Sequence, residues 1–180
     1  MVDSKEDILK KVKENNVKFI HLWFTDILGF LKSVAITSGE LLRAINEGIG
    51  FDGSSIEGFA RIDESDMIAV PDISTFQVLP IGMNEGYNIA RILCDIMKPD
   101  KTPYEGDPRW ILKKTLKEAT EMEFASYMGA ELEYFYFKSS TLPPQLLDRG
   151  GYFDLTPMDV ASDLRRRTIQ TLENMVISAE

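Results

Sequence analysis

A chain of 180 residues can hold one full domain, or one small domain and part of another. Its 44% hydrophobic content is enough for a globular core, and a formal net charge of -9 argues against nonspecific nucleic-acid binding, which draws on a basic surface. Cys94 is the one cysteine, which excludes an intramolecular disulfide, and His21 the one histidine, in a strand-like run where such a residue is more often structural than catalytic. The charged N-terminus has no apolar signal core, and no apolar run approaches the ~20 residues of a membrane helix, so the expected compartment is the cytoplasm.

Asp3 and Glu6 form a candidate capping box for a first helix over Ser4–Glu14, with Ile8, Leu9 and Val12 on one face. Val17–Thr25 and Phe30–Ile36 read as a strand pair joined by a turn at Asp26–Gly29. Thr37 and Glu40 mark a second capping box, Leu41, Leu42 and Ile45 an apolar helix face, and Gly48 its stop. Strands are expected at Met67–Val70, Thr75–Ile81 and Tyr87–Ile96, with Cys94 as a buried core thiol in the last. This order suggests a small α+β domain over about residues 1–100. Lys98–Asp107, rich in proline, glycine and charge, reads as a linker to a second unit over 101–180. There Asp107 and Pro108 start a helix, Phe124–Met128 and Glu131–Phe137 read as paired strands, and Asp159–Met175 reads as an amphipathic helix. Arg165, Arg166 and Arg167 are consecutive on that helix and span most of its circumference, which favours solvated charges and inter-helix pairs over a single phosphate clamp.

Two runs can carry chemistry. Gly50–Asp66 gathers glycines, small hydroxyls and acids between ordered segments, and places the Asp52 carboxylate beside hydroxyls able to orient it. Taken alone, Asp-Gly-Ser-Ser is as readily a surface turn. In Gly129–Phe137, a strand would set Glu131 and Glu133 on one face about 7 Å apart, each able to take a hard cation such as magnesium or manganese.

The run Phe51-Asp-Gly-Ser-Ser-Ile-Glu-Gly-Phe-Ala-Arg-Ile-Asp-Glu-Ser-Asp66 resembles the active-site loop of glutamine synthetase. Gly129-Ala-Glu-Leu-Glu133 resembles that family's Gly-x-Glu-x-Glu motif, with Tyr134 where Phe is usual, and Gly150-Gly151-Tyr152 its Gly-Gly-Tyr. The matches run in family order over nearly the whole chain and correspond to about the first two-fifths of a synthetase. The resemblance implies a β-grasp-like N-terminal domain followed by the beginning of an α/β catalytic domain. It implies ATP-dependent joining of glutamate and ammonia through a γ-glutamyl phosphate. Asp52 would take a proton from ammonium, in a site shared with Ser55, Asp66 and Tyr152. Glu131 would bind the Mg2+ or Mn2+ ion near the ATP phosphates and Glu133 the ion near glutamate. Glu57, Phe59 and Arg61 are similar to a bacterial and archaeal subclass in which the arginine is linked to feedback inhibition by glutamine. The resemblance further implies a homo-oligomer, usually a dodecamer of two six-membered rings, with Asp52 of one chain facing the next chain's Glu131 and Glu133. The family's remaining metal ligands and phosphate-binding arginines would lie beyond residue 180, and Val176 stands where the family usually has glycine. Two expectations follow: part of a longer ligase, or a truncated, inactive relative that binds a full-length synthetase.

Overall fold

The computed structural model describes residues 4–56, 66–80, 86–155 and 159–179. Two compact units emerge, Met1–Ser126 and Tyr127–Glu180.

The first unit is built on a six-stranded mixed sheet. Its strands are β1 (Val17–Thr25), β2 (Leu31–Thr37), β3 (Ile49–Asp52), β4 (Asp66–Pro71), β5 (Gln77–Leu79) and β6 (Asn88–Met97). Their order is β2-β1-β6-β4-β3, and β5 also pairs β6. β6 is the spine. It runs parallel to β1 along one side, and antiparallel to β5 and then β4 along the other. Its alternate residues Ala90, Ile92, Cys94 and Ile96 are all buried, as are Ile20, Leu22 and Phe24 of β1, the period-2 pattern of a sheet packed on one face. Helices α1 (Lys5–Glu14) and α2 (Leu41–Glu47) supply Ile8, Val12, Leu41 and Ala44 to the same core. Burying each large aliphatic side chain there contributes about 1.5–3 kcal/mol.

Local chemistry sets the element ends. The α1 capping box is Ser4 with Asp7, one residue later than Asp3 with Glu6. Ser4 has the short hydroxyl that reaches the Asp7 amide. Asp26, buried in the β1–β2 turn, accepts from the amides of Leu28 and Phe30 and pairs with Lys32 at 3.1 Å. Thr37 makes no side-chain cap; a short 3-10 turn over Ser38–Glu40 leads into α2 instead. β5 is shorter than the expected Thr75–Ile81, because Ile73–Thr75 is taken up by a 3-10 turn; Ile81 lies outside the described residues.

Lys98–Asp107 is ordered structure, not the open linker its composition suggests. Met97 bridges to Pro103, the Lys98 amide donates to the Thr102 carbonyl, and the Tyr104 amide donates to the Ile96 carbonyl. Asp107 is fully buried, and its Oδ2 accepts from the Ile96 amide at 2.9 Å while its Oδ1 caps Arg109. Helix α3 (Pro108–Glu121) therefore packs on the first unit. Arg109 and Lys113 pair with Asp72 and Asp95 at 2.6–3.5 Å. Asp95 alternates with the buried Cys94 and Ile96, so α3 lies against the sheet face opposite α1 and α2. Pro, Gly and charge mark a hydrogen-bonded turn as readily as an open linker.

In the second unit, α4 (Ser162–Asn174) is the one long regular element among the described residues. The expected strands at Phe124–Met128 and Glu131–Phe137 are not formed. Only Phe137 pairs, through an isolated bridge to Leu146. Alternation alone does not make a strand: it needs a neighbouring strand to bond to. Here Leu132 and Phe135 are exposed.

Candidate active site

The site residues of the first unit meet at one end of the sheet. Gly48 ends α2 at φ +80°, and a Cβ there would sit 2.3 Å from the Ile68 side chain, so only glycine lets the chain turn this tightly into β3. Phe51 then packs its ring 5.1 Å from that of Phe24, which ties β3 to the core. Asp52 comes next, exposed at the strand end, as the cap of a 3-10 turn over Gly53–Ser55. Antiparallel pairing sets Asp52 opposite Asp66, the first residue of β4.

The Asp52 carboxylate is held from within the loop. Oδ1 accepts from the Ser54 hydroxyl at 2.6 Å and the Ser54 amide at 2.9 Å, and Oδ2 accepts from the Ser55 hydroxyl at 3.1 Å. The Ser54 hydroxyl and amide, followed by the Ser55 hydroxyl, favour the charged form and hold the Asp52 carboxyl below its ordinary value. A carboxylate kept ionised at neutral pH attracts cations. Asp52, Ser55 and Asp66 are thus brought together. Arg61, with Glu57 and Phe59, lies outside the described residues.

Glu131, Glu133 and Tyr152 belong to the second unit. Glu131 and Glu133 are exposed on irregular chain, so the shared face that a strand would impose is not present. Glu133 lines a hollow of about 720 Å³ with Tyr134, Tyr136, Arg149 and Arg165. Tyr152 lines a hollow of about 560 Å³, and both hollows are bordered by Asp148, Gly150 and Arg165. Tyr152 is 90% exposed, its ring 4.2 Å from that of Phe153. The loop is closed by the Gly151 amide donating to Asp154 at 2.7 Å. Arg165 forms a two-pronged pair with the buried Asp159, and Arg166 pairs with Asp163 at 2.6 Å; both pairs are local to the start of α4, not the inter-helix pairs expected.

The oxygen donors of Glu131 and Glu133 suit Mg2+ or Mn2+ and not a soft metal. Among the described residues no three His, Cys, Asp or Glu side chains converge as a metal site. These two residues can supply part of a coordination shell, and the rest must come from elsewhere. Ser54 is one of the hydroxyls beside Asp52 that can orient its carboxylate. The signal for it was the Asp-x-Ser spacing, which brings a hydroxyl and an amide onto one carboxylate oxygen.

No helix among the described residues is long and apolar enough to cross a membrane. The family profile described as "Glutamine synthetase, beta-Grasp domain" matches residues 16–99, and that described as "Glutamine synthetase, catalytic domain" matches residues 105–180. The boundary between the two profiles thus precedes α3, whereas the compact units divide after it. Glutamine synthetase of Mycolicibacterium smegmatis is 49% identical over 98% of this chain and 40% of its own length. That of Methanosarcina mazei is 48% identical, again over 98% and 40%. The chain therefore spans about two-fifths of the length of these relatives. Among solved structures, Plasmodium falciparum glutamine synthetase superposes with a TM-score of 0.76 at 22% identity, covering 99% of this chain and 41% of that one, which supports the fold. Two profiles that together take in most of the sequence, and relatives near half identical along nearly all of it, show that this chain belongs to the glutamine synthetase family, as a mixed α and β protein with a β-grasp N-terminal domain.

Proposed function

We propose that the chain is the N-terminal portion of a glutamate–ammonia ligase that makes glutamine from glutamate, ammonia and ATP through a γ-glutamyl phosphate. The observation that carries this reading is the Asp52 carboxylate: ionised, exposed, gripped by Ser54 and Ser55, and facing Asp66 across the ladder. Two opposed carboxylates favour a cation between them. Asp52 draws ammonium by charge, then accepts its proton, so that neutral ammonia attacks the acyl phosphate. The same hydrogen bonds that keep Asp52 ionised make it a weak base, so the transfer runs uphill and is drawn forward by capture of the ammonia.

Tyr152 borders the ammonium site in this reading, and Glu131 and Glu133 contribute to two Mg2+ or Mn2+ sites. Ions held there would supply charge neutralisation for the transferring phosphoryl group. Arg61 serves feedback control. The domains follow residues 1–100 and 101–180, and the protein works in the cytoplasm as a homo-oligomer, a dodecamer of two hexameric rings with active sites between subunits.

The test is Asp52→Asn in a full-length synthetase carrying this segment. Glutamine formation should fall by about 10²–10⁴, the usual worth of a general base, with ATP binding kept. Near-normal synthesis would refute the role. Residues 1–180 alone should make no glutamine, since the described carboxylates do not complete a metal site. Measurable synthesis by them would refute the partial-site reading.

A further inference from the structure

Among the described residues the chain builds one local device three times. Ser74 donates its amide (3.2 Å) and hydroxyl (2.6 Å) to Oδ1 of Asp72. Thr102 does the same to Oδ1 of Asp100, at 2.9 and 2.6 Å. Ser54 does the same to Oδ1 of Asp52, at 2.9 and 2.6 Å. In each case a hydroxyl residue two positions on satisfies one carboxylate oxygen twice, and the geometry fixes where the other oxygen points.

The second oxygen sets Asp72 and Asp52 apart. Asp72 Oδ2 receives the Arg109 guanidinium at 2.6 Å and the Lys113 ammonium at 3.5 Å. This Asp-x-Ser unit therefore holds a cation on the oxygen that its serine leaves free. Asp52 Oδ2, at the exposed sheet end, accepts the Ser55 hydroxyl at 3.1 Å, and the Ser55 amide also bonds the carboxylate. A carboxylate oxygen has room for a second donor beside that hydroxyl.

We propose that Ser54 is a positioning residue for ammonium: by filling Oδ1 with its amide and hydroxyl, it fixes the Asp52 carboxylate and reserves Oδ2 for the ammonium ion. An N–H bond of ammonium breaks, an O–H bond forms at Oδ2, and neutral ammonia is left for attack. This inference rests on the role of Asp52 proposed above. Ser55 shares Oδ2 with the ion, whereas Ser54 never touches it and acts only through Asp52.

The test compares Ser54→Ala, Ser54→Gly, Ser54→Thr and Asp52→Asn in a full-length synthetase carrying this segment, with ammonium chloride as the varied substrate. Losing a charge-assisted hydrogen bond should lower kcat/KM for ammonium about tenfold in the Ala and Gly variants, with KM for glutamate and ATP within about twofold. Ser54→Thr keeps both donors and should restore the value to within about twofold. In residues 1–180, a carbon NMR titration of the Asp52 carboxyl should move up in Ser54→Ala and Ser54→Gly, and stay in place in Ser54→Thr. If Asp52→Asn is inactive but the Ala and Gly variants keep normal kcat/KM for ammonium, the positioning role is wrong and Asp52 stands. Equal losses toward all three substrates, or no rescue by Thr, would mark Ser54 as merely structural and overturn the proposal. Near-normal activity of Asp52→Asn would remove the reading beneath it.

Discussion

Asp52 and Asp66 are direct cross-strand partners, the last register pair of the β3–β4 ladder, although fourteen positions separate them in sequence. Like charges placed directly opposite destabilise a sheet. The pair therefore sets a charge arrangement suited to a cation against the stability of the first unit. Asp66→Asn should raise the thermal midpoint of that unit at low salt, and the gain should shrink at high salt, where screening already weakens the repulsion. A midpoint unchanged at both ionic strengths, read by circular dichroism, would show that the two charges do not oppose each other.

Asp107 joins α3 to the spine of the sheet, because its two oxygens accept from Ile96 and Arg109. Burial pushes its carboxyl above the ordinary value, against the two amide donors. Asp107→Ala would leave the Ile96 amide buried without its partner and the helix uncapped. Urea denaturation should show a loss of roughly 2–4 kcal/mol. A loss below about 1 kcal/mol would mean that the turn reorganises around the gap.

The Arg109–Asp72 pair has a calculable pH sign. Burial pushes Asp72 up, but the Ser74 hydroxyl, then Arg109 and Lys113, outweigh it and hold the carboxyl below 3.8. A lowered folded-state pKa gives stability that is present above the unfolded value and lost as pH falls through the folded one. Arg109→Ala should cost roughly 1–2 kcal/mol at neutral pH, a figure that allows for partial solvent screening. The difference from the parent should narrow as pH drops below the carboxylate range. A difference independent of pH would assign the effect to lost packing by the arginine stem. Limited proteolysis offers a second reading: the parent should leave a core extending past Glu121, and the variant should be cut in Lys98–Asp107.

Cys94 is fully buried in β6, and burial pushes its thiol up to about 12. Only thiolate reacts with alkylating agents. Folded protein at pH 8 should resist labelling, and urea should expose one reactive thiol. Rapid labelling without denaturant would mean that β6 opens locally.

Val176 adopts φ +59° just past α4. Its amide donates to the Glu173 carbonyl and the Ile177 amide donates to the Leu172 carbonyl, the paired bonds of a Schellman helix end. That position favours glycine, and a β-branched residue there is strained. Val176→Gly should stabilise the second unit by about 1 kcal/mol. A destabilisation, measured by hydrogen exchange along α4, would show that the valine side chain contributes more than the strain costs.

Much of the first unit was legible from residue order. Period-2 burial in Ile20–Phe24 and in the strand ending near Ile96, the helix at residues 5–14 and the stop at Gly48 are local patterns that the sheet and its core preserve. The family was legible too, because the Asp52 loop and the Glu131–Glu133 and Tyr152 motifs are contiguous strings. Three features were settled only by the tertiary structure. Lys98–Asp107 looked like a linker until the Ile96 amide found Asp107, a contact between residues eleven apart. Glu131–Phe137 alternates like a strand, but a strand exists only when another chain segment satisfies its amides and carbonyls, and that cannot be read from the strand itself. The facing of Asp52 and Asp66, and the choice of which Asp52 oxygen Ser54 fills, depend on the β3–β4 register and on side-chain rotamers. Composition and periodicity carry no record of the register, because it arises from pairing between segments distant in sequence, whereas the Ser54 contact is local and was signalled by the Asp-x-Ser spacing.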